Sequence, residues 1–187
     1  FNGIGSDNNS MPLKTYKFSN NKSVSICGFS ENNLFSEFNV FDCENGKSLV
    51  QYDALENCEI EFQNDEIIIF ETLILPNNEH WYFSQENISE QKIKPHKNEL
   101  VVENKKPLKV NSKIPKNQQD EFLKNLHKTN LSIEAKLNRL ETLAIIGNVE
   151  AKKVLQNFKN ENFLDGANKE YYNEIIERLK FREKNGR

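Results

Sequence analysis

The chain has 187 residues, a formal net charge of −3 and an isoelectric point near 5.8. A chain of this length can form one domain or two small ones, and it can bury a hydrophobic core without disulfide bonds. Its weakly acidic balance argues against a general nucleic-acid-binding protein, and no apolar run reaches the roughly 18 residues of a membrane-spanning helix.

Residues 1–12 are interpreted as a tag-like or disordered leader, because the first ten residues precede the only methionine, Met11. If Met11 is the natural start, the residues after it contain no hydrophobic core of a signal peptide, and we expect a cytoplasmic protein. The alternative is a secreted or lipid-anchored protein whose leader has been removed, with the first residues as a tether. The start of the gene, at Met11 or upstream of it, would distinguish the two.

The residues from 13 to 104 are predicted to form an antiparallel β region. Short strands at 13–18 and 23–29 precede two hairpins in residues 34–69. In the first hairpin, Asn45-Gly46 lies between two apolar runs, which predicts a two-residue type I′ turn. That turn would place Phe41 opposite Val50 and Val40 opposite Gln51. It would also separate two apolar faces, one with Phe41, Val50 and Tyr52 and the other with Phe38, Val40 and Leu49.

The second hairpin has a clearer pattern of alternation in its first arm. Cys58, Ile60 and Phe62 alternate with polar residues, which is typical of a half-buried strand. Asn64-Asp65 is the predicted turn. The second arm, residues 67–75, is the most apolar run of the chain and predicts a central strand that is covered on both faces.

Two further strands are predicted at residues 81–83 and 100–103. Between residues 93 and 115 three prolines and many lysines indicate an extended, solvated connector, of which 105–116 is assigned as a basic linker. Sequential strands with short connections are typical of an antiparallel meander.

From residue 117 to 184 the apolar residues recur at helical spacing, and three to four short helices are predicted there. One helix is expected at 118–127 and a second at 133–146, capped by Ser132. A third is expected to begin after Asn148 as its N-cap, and a fourth near Asn168. The sequence therefore predicts an α+β protein, with a meander sheet followed by a helical bundle that packs on the sheet or stands beside it.

Charge is distributed unevenly along the chain. Residues 51–91 contain ten acidic residues and no Lys or Arg, whereas residues 92–116 contain eight lysines and two acids. These charges either neutralise each other in space or form an acidic face that attracts a basic partner.

No pattern of residues indicates a catalytic, cofactor-binding or metal site. The three histidines are scattered and lack metal-ligand spacing, and the glycines form no phosphate-binding loop. The three cysteines form no CxxC motif, so they are expected to be reduced, buried side chains in strands. A hydrolase or thiol enzyme would require His80 to meet a cysteine such as Cys58.

The sequence favours a non-enzymatic protein that binds a protein partner with a basic surface and needs no cofactor. The most specific hypothesis is a small acidic inhibitor, of the kind that bacterial immunity proteins against toxins represent. The alternative is a cell-envelope lipoprotein or surface protein that acts as a docking module. The predicted partner-binding residues, acidic and apolar side chains of the second hairpin and the segment after it, are Glu59, Glu61, Asp65, Glu66, Ile68, Phe70, Glu79 and Trp81.

Overall fold

The computed structural model describes residues 14–31, 34–52, 57–73, 86–110, 114–128 and 130–186. These residues form nine strands followed by four helices, which confirms the predicted α+β class. The strands are β1 (Lys14–Lys17), β2 (Ser23–Glu31), β3 (Leu34–Asp42), β4 (Ser48–Tyr52), β5 (Cys58–Gln63), β6 (Glu66–Leu73), β7 (Glu86–His96), β8 (Glu99–Val102) and β9 (Lys106–Pro107). The leader, residues 1–12, and the strand predicted at 81–83 lie outside the described residues.

All nine strands belong to one sheet with the order β1-β2-β3-β5-β6-β7-β8. The described pairings are antiparallel, as expected for a meander. The short strand β4 lies off this path, because it pairs with the second half of β3 while Phe35 in the first half of β3 pairs with Cys58 of β5. Strand β3 therefore forms the first hairpin with β4 and also pairs with β5, the first arm of the second hairpin.

The sheet is strongly curled around its core. Tyr16 of β1 stacks on Phe62 of β5, with ring centroids 4.8 Å apart, although two strands lie between β1 and β5 in the sheet order. The turn after β1 also reaches two other turns: Ser19 donates hydrogen bonds to the Asp65 carboxylate, and the Asn20 amide donates to the Lys97 carbonyl at 3.0 Å. Three hairpin tips thus meet at one end of the curled sheet.

The predicted register of the first hairpin is wrong by one residue. Val40 pairs with Val50, and Phe41 pairs with Ser48, so Leu49 is an extra residue in β4. Gly46 has a φ of 68°, whereas Asn45 has no positive φ, and a type I′ turn needs both. The loop is longer because the Asp42 carboxylate accepts hydrogen bonds from the Glu44 N–H and the Asn45 amide.

This shift corrects the predicted faces, because a slip of one residue exchanges the two sides of a strand. The buried core of the sheet combines residues that were predicted to lie on opposite sides: Phe38, Val40, Val50 and Tyr52.

The second hairpin turns at Asn64-Asp65 as predicted, and Gln63 pairs with Glu66 across the turn. Asn64 and Asp65 have φ values of 51° and 61°, the positive φ angles that a two-residue type I′ turn needs. β6 is an inner strand of the sheet, and Ile67, Ile68 and Ile69 are all buried. The central position of this run is confirmed, and its residues from 66 to 72 are buried or half-buried, as the predicted two-sided cover requires.

Strand β7 replaces part of the predicted connector. Its 11 residues continue to His96, and Pro95 pairs with Leu100 of β8. The lysines and the proline made this segment look solvated in the sequence. In the sheet, Ile93 is fully buried, while Lys92 and Lys94 form ion pairs.

The helices are α1 (Lys116–Asn125), α2 (Ile133–Ile145), α3 (Val149–Glu161) and α4 (Gly166–Asn185), with a 3₁₀ turn at Leu126–Lys128. Both predicted N-caps are confirmed: Ser132 accepts from the Ala135 N–H at 3.1 Å and Asn148 accepts from the Ala151 N–H at 2.9 Å. The side-chain oxygen in each case satisfies an N–H that the first helical turn leaves without a partner.

The chain divides into two compact units. The sheet unit contains the described residues from 14 to 72 and from 87 to 106. The helical unit contains those from 107 to 186 together with Leu73 and Glu86, and its core includes Phe122, Leu137, Leu140, Leu155, Phe158 and Ile175.

Candidate functional site

The predicted partner-binding residues of β5 and β6 come together on one side of the sheet. Glu59 pairs directly with Phe70, and Glu61 with Ile68. Their neighbours Cys58, Ile60, Ile67 and Ile69 belong to the core on the other side. Glu61 is exposed, Glu59 and Phe70 are half-buried, and Ile68 is only 5% exposed. We refer to Glu59, Glu61 and Phe70 as the β5–β6 face; Ile68 lies on the same side of the sheet and is buried.

Asp65 and Glu66 have partners within the sheet unit. Both carboxylate oxygens of Asp65 accept hydrogen bonds from Ser19, and Glu66 lies 3.3 Å from the ammonium of Lys92. Their positions fit a structural task, the joining of hairpin tips and neighbouring strands. Glu79 and Trp81, the remaining predicted residues, lie outside the described residues.

Four lysines of residues 92–116 form ion pairs with acids of the sheet unit. Lys92 pairs with Glu66, Lys105 with Glu71, and both Lys94 and Lys106 with Glu103. Hydrogen bonds from the two lysines hold the pKa of Glu103 below its ordinary value, and the same contact raises the pKa of Lys94. Part of the uneven charge seen in the sequence is therefore neutralised within the unit.

A buried polar cluster in the sheet was missed in the sequence. Glu71, only 2% exposed, accepts a hydrogen bond of 2.7 Å from the hydroxyl of Ser89 and lies 3.0 Å from the ammonium of Lys105. The signal was present in the alternation of β6, because Glu71 is in phase with the core residues Ile67 and Ile69. A carboxylate on an apolar face needs a buried partner.

The cluster continues through an aromatic ring to β7. The ammonium of Lys105 lies 5.2 Å from the ring centroid of Tyr52, and the Tyr52 hydroxyl lies 3.2 Å from the Gln91 side-chain oxygen. Gln91 in turn donates to the carbonyl of Glu103 at 3.1 Å. These contacts connect β4, β6, β7 and the segment after β8, and they indicate a structural role for the cluster.

The three cysteines are free thiols in different surroundings. Cys58 is buried as expected, but Cys43 is exposed in the first hairpin loop, where its sulfur lies 3.0 Å from the hydroxyl of Ser25. Burial raises the pKa of the Cys27 thiol, with a smaller contribution from Cys43. His80 lies outside the described residues, so its proposed convergence with Cys58 stays untested.

Two negative findings apply to the described residues. They contain no group of three or more His, Cys, Asp or Glu side chains placed to hold a metal ion. None of their helices has the length and apolar character that crossing a bilayer requires.

The helical unit contains its own buried charges. Glu141, which is fully buried, accepts a hydrogen bond of 2.7 Å from Nε of Arg178, and this ion pair connects α2 to α4. Close by, burial and the Glu141 carboxylate raise the pKa of Tyr171 to about 12. Asn138 donates to the Tyr171 hydroxyl at 3.3 Å.

Comparison with known proteins gives no functional lead: the chain matches no family model, no curated protein and no solved structure. The functional argument therefore depends on the residues and their geometry alone.

Proposed function

We propose that the protein is a non-enzymatic inhibitor that binds a basic protein partner through the β5–β6 face, as a small acidic immunity protein binds its toxin. The observation that carries this proposal is the cross-strand pairing of Glu59 with Phe70, beside the exposed Glu61. The three side chains combine two carboxylates with part of an aromatic ring on two adjacent antiparallel strands.

The chemistry of this face suits a partner that offers lysines or arginines around an apolar contact. Aromatic side chains near the centre of an interface contribute most of its binding energy, while surrounding charges act mainly on the association rate and on the choice of partner. The sheet unit as a whole is also acidic, since residues 1–72 and 87–106 contain 9 lysines and 15 acidic residues. A basic partner would therefore be attracted at long range, and added salt would weaken the attraction.

The test is co-expression of the protein with the product of the adjacent open reading frame, followed by measurement of affinity at two salt concentrations. We expect a complex at low salt whose association slows as ionic strength rises towards about 1 M, where screening acts over about 3 Å. Replacement of Glu59 and Glu61 by lysine should weaken the complex at least about tenfold, a change of about 1.4 kcal/mol.

A matched control is available on α1, where Asp120 and Glu121 are both exposed. The variant Asp120→Lys/Glu121→Lys changes the net charge by the same amount but lies in the other unit, so its affinity should stay within about twofold of the unaltered protein. Equal losses of affinity in the two variants would show that the net charge, and not the β5–β6 face, is responsible for the effect. A failure to form any complex at low salt would exclude the proposed inhibitor function.

A further inference from the structure

The sheet unit carries an exposed aromatic residue that the proposed function does not use. Phe29 of β2 is 55% exposed, and it pairs directly with Glu37 of β3. The neighbouring pair is Gly28 with Phe38, and Phe38 is a fully buried core residue. Because side chains alternate along a strand, Phe29 and Glu37 lie on the side of the sheet that faces away from the core.

A β-bulge adjoins this pair. The register of β2 with β3 shifts directly after Phe29, because Ser30 pairs with Phe35 and leaves Ser36 as an extra residue. Bulges bend a strand and redirect the side chains beside them, and they are frequent next to active sites. Directly opposite residues of an antiparallel pair have Cβ atoms about 5 Å apart. One ligand group can therefore contact the Phe29 ring and the Glu37 carboxylate together.

The charge of these strands is negative. Strands β2 to β6 contain seven acidic residues and no Lys or Arg. Glu37 is half-buried, and among the residues that the structure describes it forms no ion pair. The lysines of β7 and of the segment after β8 are paired with other acids of the sheet unit. The Glu37 carboxylate can therefore accept a cation from a partner.

The two lysines of the neighbouring strand β1 lie elsewhere. Lys14 is on the core side of the sheet, where its ammonium lies 4.9 Å from the ring centroid of Phe62. Lys17 pairs with Ser23, which precedes Phe29 on β2 by six residues, or about 20 Å along the strand. Neither lysine is placed to neutralise the carboxylate beside Phe29.

A guanidinium group suits this pair better than an ammonium does. The planar guanidinium can stack on the Phe29 ring while its N–H groups donate to the Glu37 carboxylate. An ammonium is a strongly hydrated point charge without a flat face, so a lysine would make the ion pair without the stacking. Cover of the exposed ring also removes apolar surface from water and so favours binding.

We propose that an arginine of the partner binds between Phe29 and Glu37, so that the partner-binding surface extends from the β5–β6 face across β3 to β2. The inference rests on the proposed function for the existence of that partner. Cys58, the core residue next to Glu59, pairs with Phe35 of β3. Glu37 and Glu59 therefore lie on the same side of the sheet, about one strand spacing and three residues apart, or roughly 11 Å.

The probe is a blocked Gly-Arg-Gly peptide added to the full ¹⁵N-labelled protein, with blocked Gly-Lys-Gly as the reference. We expect the arginine peptide to shift the amide signals of Phe29 and Glu37 and to bind about threefold more tightly than the lysine peptide. Phe29→Leu should remove this preference for arginine, and it should fold normally because Phe29 is exposed. Glu37→Gln should weaken binding of both peptides about fivefold.

Glu99→Gln is the matched control, since Glu99 is an exposed carboxylate of β8 and its replacement changes the net charge by the same amount. Its affinity for the arginine peptide should stay within about twofold of the unaltered protein. Equal binding of the two peptides to the unaltered protein would overturn the proposal. The same holds if the Phe29 and Glu37 signals do not shift at the highest soluble peptide concentration.

The complex with the product of the adjacent reading frame separates this inference from the proposed function. Phe29→Leu and Glu37→Gln should each weaken that complex at least about threefold. A complex that depends on Glu59 and Glu61 but is unaffected by these two variants would overturn the extended surface and leave the proposed function intact. If no complex forms, the proposed function fails, and the peptide titration alone decides whether the arginine site exists.

Discussion

The ammonium of Lys105 lies 3.0 Å from the carboxylate of Glu71, and the two side chains differ widely in exposure, at 26% and 2%. The ammonium of Lys105 can be solvated. The carboxylate of Glu71 is shielded from water and is stabilised only by its partners in the protein. Loss of the lysine should therefore be more harmful than the loss of an ordinary surface charge.

Lys105→Met should lower the free energy of unfolding by about 3 kcal/mol, because it removes the cation beside a buried carboxylate. The control is Lys106→Met, which alters the exposed pair with Glu103 and should cost less than about 1 kcal/mol. Urea denaturation of both variants measures the difference. Similar losses would show that Glu71 does not depend on Lys105.

Gly28 lies opposite Phe38 in the pairing of β2 with β3, and its φ is 157°. A Cβ at this position would lie 2.0 Å from the Glu37 carbonyl oxygen. Because that oxygen belongs to the backbone of the neighbouring strand, Gly28→Ala should cost more than about 4 kcal/mol or prevent cooperative unfolding.

Gly46→Ala provides the comparison for Gly28. It has a φ of 68° but open space around it, so only the left-handed conformation opposes the change, at about 1 kcal/mol. Thermal and urea unfolding would measure both variants. Equal stability of the two would contradict the close contact between β2 and β3.

Tyr171 should make stability depend on pH in the alkaline range. Its pKa is raised to about 12 from an ordinary value of 10.0, so the folded protein holds this proton more tightly than the unfolded chain does. The stabilisation is complete below about pH 10 and is lost as the pH rises to about 12, at a cost of about 3 kcal/mol.

Tyrosinate absorbance measures this directly, since the chain has 5 tyrosines and Tyr171→Phe should remove one that titrates near pH 12. The same variant should lose less stability than the unaltered protein between pH 10 and 12. Lysines titrate in this range too, so the difference between the two proteins is the relevant quantity. Identical pH profiles would contradict the burial of the Tyr171 hydroxyl.

Variants of Asp65 test whether this predicted partner-binding residue has a structural role instead. Asp65→Asn preserves an acceptor for Ser19 and tolerates positive φ, so it should cost about 1 kcal/mol. Asp65→Ala loses both hydrogen bonds and adds strain at a φ of 61°, and we expect about 3 kcal/mol. Chemical denaturation of the two variants is the measurement. An Asp65→Ala variant as stable as the unaltered protein would contradict the structural role and leave Asp65 as a candidate partner-binding residue.

Local interactions explain what was predictable from the sequence. Ser132 and Asn148 cap their helices through N–H groups three residues away, and Asn64-Asp65 turns the chain between adjacent strands. Each feature depends on a few neighbouring residues, so its sequence pattern is sufficient. This two-residue loop fixes the register of both arms and pairs Glu59 with Phe70.

The register of the first hairpin was missed for a local reason, because the Asp42 carboxylate accepts hydrogen bonds from residues two and three positions away and so lengthens the loop. Contacts between distant residues explain the rest. The lysines of β7 look solvated in the sequence because their acidic partners are distant along the chain. Glu66, the partner of Lys92, is 26 residues away.

The sequence by itself therefore determined the α+β order, the helix caps and the acidic–apolar alternation of β5, because these depend on neighbouring residues and on periods of 2 and 3.6. Only the tertiary structure decided which charges are neutralised. The energy of an ion pair depends on distance and burial, and both are set by which strands or helices pack side by side, as for Lys92 with Glu66 and Arg178 with Glu141.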